Sequence, residues 1–185
     1  MSKIRIKGDT SGFVDLETSA TGNNLSVIGN ALKVDTINEK TAGNGVYIPG
    51  HVIQVVQGST NTSASGDTTT YTDTNLSATI TPKSASSKIL IKVNQHYRHD
   101  RYGFSIRVLR DSTAIQEPAN KFAQYSADYN DDLRGYHTYE ILDTPSTTSA
   151  ITYKTQYATN NSSGVGVRFN DNGFYSYLTL MEIAG

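Results

Sequence analysis

There is no cysteine among the 185 residues. Disulfides, thiolate metal sites and a cysteine nucleophile are therefore excluded. Small secreted domains often depend on disulfides, so stability here has to come from elsewhere, oligomerisation being one source. An excess of one charge is also lacking. Lys plus Arg is 16 against 17 for Asp plus Glu, a formal net charge of −1, which leaves no basic footprint for nucleic acid or an anionic membrane. No stretch approaches the ~18 consecutive apolar residues of a membrane-spanning helix, so no membrane insertion is expected. The start, MSKIRIKGDTSG, lacks an apolar h-region, which argues against Sec export. Charged residues make up only 18%, too few for a charged disordered tail.

What is present is Ser, Thr, Asn, Gln, Gly and tyrosine. Thr and Tyr suit half-buried strand faces, and Gly, Asn and Asp suit turns, so the mixture predicts an all-β protein. Residues 1–50 hold very short apolar pieces: Ile4 and Ile6, Phe13 to Leu16, Leu25 to Ile28, Leu32 to Ile37 and Val46 to Ile48. Turn chemistry separates them at Gly8-Asp9, Gly22-Asn23-Asn24 and Gly43-Asn44-Gly45. Strands this short need neighbours, from along the chain or from sister chains. A threefold stem would supply them, with Val34, Ile37, Val46 and Ile48 facing a shared interior. A β-rich arm lying on another surface is the alternative.

From His51 onward, residues 51–185, the pattern changes. HVIQVVQ reads as a strand, and Gly58 to Thr70 as a polar loop. Leu76, Ala78 and Ile80 alternate with polar residues up to Pro82; Ile89, Ile91 and Val93 share one face, as do Phe104, Ile106 and Val108. Tyr136 to Leu142, Ile151 to Tyr157 and Phe174 to Ile183 complete about eight strands at regular spacing, the pattern of a β-sandwich or jelly roll. Tyrosine numbers 12 and tryptophan 0; Tyr139, Tyr153, Tyr157, Tyr175 and Tyr177 fall within predicted strands, where a ring fills a core and its hydroxyl reaches an edge or interface.

Little in the chain points to catalysis. His96 and His99 flank Tyr97-Arg98 in what reads as a strand end and loop, with no H-E-x-x-H and no third ligand, so no metal is expected there. Asp128-Tyr-Asn-Asp-Asp132 resembles the opening of a calcium loop, but Leu133 stands where glycine is needed and no glutamate closes it. No G-x-S-x-G and no phosphate-cradling loop occurs. No catalytic residue and no cofactor is therefore assigned. Aromatic and charged groups cluster instead at Tyr97, Arg98, His99, Arg101 and Tyr102, and at Tyr125, Tyr129 and Asp131. Both stretches lack apolar periodicity and read as binding loops on a rigid scaffold.

The stretch Val34-Asp-Thr-Ile-Asn-Glu-Lys-Thr41 with Gly45-Val46 and Ile48 resembles a stem motif of fibre and appendage proteins of tailed, especially marine, bacteriophages. Gly50 to Gln57, Tyr71 to Thr74, Leu76 to Pro82, Ser84 to Leu90 and the closing Tyr177 to Ile183 are similar to the head of the same proteins. The resemblance implies a homotrimer with a slender N-terminal stem and a jelly roll similar to tumour-necrosis-factor-like heads. It also implies a place on the virion surface, after synthesis in the host cytoplasm, with residues 1–50 anchored to capsid or tail proteins. The expected function is that of a short surface fibre or capsid decoration protein. The alternative is a tail-fibre protein that grips a host-surface glycan or protein, and the third is a carbohydrate-active enzyme or its accessory module.

Overall fold

The computed structural model of the chain describes residues 3–7, 13–18, 25–26, 48–118, 124–126, 132–162 and 166–185. Two compact units make up the chain, residues 1–38 and 39–185. The first contains a three-stranded antiparallel sheet, β1 (Lys3–Lys7), β2 (Phe13–Thr18) and β3 (Leu25–Ser26), in that spatial order. Its register sets Ile4 opposite Leu16 and Ile6 opposite Val14. These three short strands find their neighbours along the chain. Of the expected stem residues, Val34, Ile37 and Val46 lie outside the described residues. Ile48 is 54% exposed, just before the Pro49-Gly50 turn.

The second unit carries eight principal strands: β4 (Val52–Thr60), β6 (Thr72–Ile80), β7 (Lys88–His99), β8 (Tyr102–Arg110), β10 (Gln124–Ser126), β11 (Leu133–Asp143), β12 (Ile151–Thr159) and β14 (Ser176–Ile183). The first pairs antiparallel with the last, β4 with β14, and the second with the penultimate, β6 with β12. Continuing inward, β7 pairs with β11 and β8 with β10. Further pairings of β14 with β7 and β12 with β8 roll this long hairpin into two sheets, β4-β14-β7-β11 and β6-β12-β8-β10. That is a jelly roll, and the all-β sandwich expected from the sequence is what the chain forms. Short β5 (Ala64–Ser65) and β13 (Arg168–Phe169) extend the first sheet at one end, and β9 (Thr113–Gln116) extends the second. Among the described residues there is no α-helix, and no helix is long and apolar enough to cross a membrane.

Strand alternation builds the core. Ile89, Ile91 and Val93 of β7, with Leu178 and Leu180 of β14, face Leu76, Ala78, Ile80, Val108, Ile151 and Tyr153 of the other sheet. Each fully buried aliphatic of this kind contributes about 1.5–3 kcal/mol of transfer free energy. Phe104, Ile106, Tyr157, Val167 and Phe169 form a second cluster toward the β13 end. At one edge the two sheets come close together: a side chain at Gly58 of β4 would put its Cβ 1.9 Å from the Ser77 carbonyl oxygen of β6. Gly50 belongs to this unit, its N–H donating to the Ala184 carbonyl at 2.8 Å.

Three local expectations are corrected. The strand beginning at Val52 runs on to Thr60, and Ala64–Ser65 pairs with β13, so 58–70 is only partly loop. Tyr175 lies just ahead of β14 rather than within it. The segment expected to be a loop from Tyr97 to Tyr102 is instead the end of β7, a two-residue link and the start of β8. The link is short because β7 crosses there directly into the opposite sheet, and Tyr102, with φ of 58°, makes the bend.

Candidate interaction surfaces

The register of the first sheet sorts its outer face into rows, because residues directly opposite one another share a face. One row is apolar across all four strands: Val55, Met181, Leu90 and Leu142. Val55 is 57% and Leu142 56% exposed, and Val52 beside them is 45% exposed. The next rows are Gln57, Thr179, Lys92 and Glu140, then Ser59, Tyr177, Asn94 and Thr138. All of these but Ser59, together with Met181, line a shallow groove of about 740 Å³. Above it His96 of β7 is paired with Tyr136 of β11. The His96 ring stacks on Phe174 at 4.7 Å and meets Tyr136 edge-on at 5.5 Å. Tyr136, Phe174, Tyr175 and Tyr177 are all exposed, while His96 beneath them is buried. Burial pushes the His96 imidazole below its ordinary pKa, with Asp171 pulling it up and Arg134 adding to the depression.

The last row is cationic: Arg168, Arg98 and Arg134 stand side by side on β13, β7 and β11. Like charges directly opposite are destabilising unless compensated. Arg98 is engaged by three carboxylates: Asp132 at 2.5 Å, Asp100 at 3.7 Å and Asp171 at 3.9 Å. Arg134 reaches the same Asp132 at 2.5 Å. Hydrogen bonds from Arg134 and Arg98 hold the Asp132 carboxyl well below the usual carboxylate range.

The residues expected to bind are thus distributed unequally. His99 is fully buried and so not offered to a partner, while Tyr97 is half-buried with its ring 5.1 Å from Phe104. The physical reason is parity: both continue the inward set begun by Ile89, Ile91 and Val93. Arg98 is the hub of an ion network. Arg101 lays its guanidinium 4.6 Å from the Tyr102 ring centroid. Tyr125, 52% exposed on β10, pairs with Gly103, next to Tyr102. Tyr129 and Asp131 lie outside the described residues, as does most of the calcium-like stretch.

The outer face of the second sheet has a different character. Asp73 accepts from Lys154 at 3.0 Å and from Gln156 at 2.6 Å. Burial disfavours ionised Asp73, but the bonds from Gln156 and Lys154 outweigh it and hold the carboxyl below its ordinary value. Arg107 donates to Gln156 and Glu117 and lies 4.1 Å from the Tyr71 ring centroid. Thr79 and Thr152 bond to each other at 2.8 Å. This face is polar and satisfies its own charges.

Sequence reasoning missed a third feature, a polar belt between the two apolar clusters. The Gln95 Oε1 accepts from Thr155 at 2.8 Å and Thr74 at 3.1 Å, while its Nε2 donates to Asn170 at 2.7 Å and Ser176 at 2.9 Å. Asn170 in turn donates to the Thr74 carbonyl at 2.7 Å and the Thr62 carbonyl at 3.0 Å. Every member is buried and bonded, so the belt sets how the two sheets meet.

Among the described residues no group of three or more His, Cys, Asp or Glu is placed to hold a metal ion. Compared with protein-family models and with curated proteins, the chain matches none.

Proposed function

We propose that this chain is a structural protein of a tailed-phage virion, a homotrimeric short surface fibre or capsid decoration protein whose jelly-roll head is displayed outward. The observation that carries the reading is the contrast between the two outer faces of the sandwich. One satisfies its own charges with cross-strand pairs and suits water. The other presents an unbroken apolar row, Val55-Met181-Leu90-Leu142, and four exposed aromatic rings above it. Exposed apolar surface that is contiguous in this way marks a protein contact. A second copy of the same chain is the partner that a jelly roll without disulfides calls for to cover such a face. A closed ring of three copies covers the face without leaving an open edge. Residues 1–50 then serve as stem and anchor to other virion proteins, and no catalytic role is assigned.

A second reading, attachment to a host-surface glycan or protein, is favoured by one observation: Arg101, Tyr102 and Tyr125 come together at the β8–β10 edge, with the Tyr125 ring half exposed. Antibody labelling of intact particles tests the first reading. Label on the capsid or tail surface is the expected result; a particle free of the protein overturns it. Loss of adsorption by particles carrying Arg101→Ala with Tyr102→Ala, with the protein retained, would favour the second reading.

A further inference from the structure

The apolar face contains one titratable group buried beneath its aromatic rings. His96 has a side chain only 3% exposed, covered by Phe174 and edged by Tyr136. Its Nδ1 has no hydrogen-bond partner among the described residues, nor does Asp171 Oδ1, which faces it at 3.7 Å. The groups around the ring come from every element packed on it. Arg98 lies on the same strand, Arg134 and Tyr136 come from β11, Asp132 directly precedes β11, and Asp171 comes from the helical turn Asp171–Gly173. Asp171 is shared with Arg98 at 3.9 Å, and Asp132 neutralises both arginines, so no carboxylate is left to His96 alone.

We propose that His96 is an acid-sensitive release point for the contact between copies, an inference that rests on the assembly reading above. The ring is accommodated as a neutral imidazole stacked on Phe174 and met edge-on by Tyr136. A sister copy laid over Phe174 and Tyr136 removes the remaining water from the site, which disfavours the imidazolium further. The assembled form then binds fewer protons than the free subunit, and linkage makes assembly weaken as pH falls. The sign follows from the direction of the shift. Above the ordinary histidine value both forms are neutral and assembly is at full strength. The free subunit, itself depressed by burial, takes up the proton first as pH falls through its own lowered value, and the loss levels off once the assembled form is protonated too. Asp171 opposes this and limits its size.

The turn that carries Asp171 also ties the switch to the core. Asn170, Asn172 and Gly173 all have positive φ, and Asn170 is held by the buried belt through Gln95 and Ser176. Phe174, which follows directly and donates its N–H to the Asp171 carbonyl at 3.0 Å, is anchored over His96 by that turn.

The test is light scattering of the full chain, diluted through its dissociation range at pH 7.5 and pH 5, for the parent and for His96→Phe, which keeps a stacked ring and cannot protonate. The expected result is about a tenfold rise in the parent's dissociation constant at the lower pH, the equivalent of one unit of pKa difference, with most of that rise gone in the variant. An equal acid response in both overturns the inference and leaves the assembly reading intact. A folded monomer at pH 7.5 in the parent overturns both. Should His96→Phe fail to fold, proton NMR titration of the parent's imidazoles decides. A His96 that titrates lower in the assembled protein than in the diluted free subunit supports the inference, and one that titrates equally or higher on assembly refutes it.

Discussion

Replacing Gln95 by leucine keeps side-chain volume and removes the centre of the polar belt. Four hydrogen bonds disappear, two accepted from Thr74 and Thr155 and two donated to Asn170 and Ser176. At about 0.5–1.5 kcal/mol each, the gross loss is about 2–6 kcal/mol. The full penalty of orphaned groups does not apply, because the partners still hold one another: Thr74 with Thr155 at 2.5 Å and Ser176 with Asn170 at 2.5 Å. Leucine gains roughly 1 kcal/mol of apolar burial in return. The expected net destabilisation is about 3 kcal/mol, which for a domain of this size lowers Tm by roughly 6–12 °C. Urea unfolding of parent and variant at the same protein concentration measures it, since assembly would otherwise enter the comparison. The exposed pair Thr79–Thr152 supplies a control: Thr79→Val should change stability by less than about 0.5 kcal/mol. A loss below about 1 kcal/mol in Gln95→Leu would refute the view that the belt joins the sheets.

Gly58→Val places a branched side chain against the Ser77 carbonyl and should cost about 3 kcal/mol or more, read by thermal unfolding. Burial and the hydrogen bond to Asp143 push the Tyr153 hydroxyl well above the ordinary tyrosine value. The unfolded chain therefore ionises first, so stability is complete below the ordinary tyrosine value and falls as pH rises above it; tyrosinate absorbance followed alongside circular dichroism should show this ring ionising only as the fold is lost. Met181→Glu puts a charge in the middle of the apolar row and should abolish assembly while the subunit keeps its circular dichroism spectrum, as checked by size exclusion. Asp132→Asn removes the carboxylate that Arg98 and Arg134 share and leaves Asp100 and Asp171 to Arg98, and the resulting instability should shrink with added salt because the site is open to water.

The strands with clean alternation were legible in the sequence. Leu76, Ala78 and Ile80 and the set Ile89, Ile91 and Val93 announce both their strand and their buried face, and both are buried. The sequence became ambiguous where a strand continues inward with polar or aromatic residues. Gln95, Tyr97 and His99 keep the parity of Ile89, but the stretch from Tyr97 on was read as a loop and nothing marked Gln95 as a buried hub, because burial of such groups depends on partners distant in sequence. Asn170 and Ser176 are 75 and 81 residues from Gln95, and no local pattern announces them. The apolar row was hidden for a related reason. Val55, Leu90, Leu142 and Met181 each stand beside an inward-facing apolar residue on four separate strands, and only the register brings them together. Arg98 reads equally as a ligand-binding residue or an ion-pair hub; its three carboxylate neighbours decide for the hub. The two-residue strands β5 and β13 have no sequence signature at all, since their pairing is set by the strands beside them.

That the apolar row is a contact between copies of the chain is tested most directly by the mass of the full chain in solution, by light scattering at micromolar concentration and neutral pH. A stable particle of three times the subunit mass is the predicted result. A folded, monodisperse single subunit, with Val55 and Leu142 open to solvent, would contradict it.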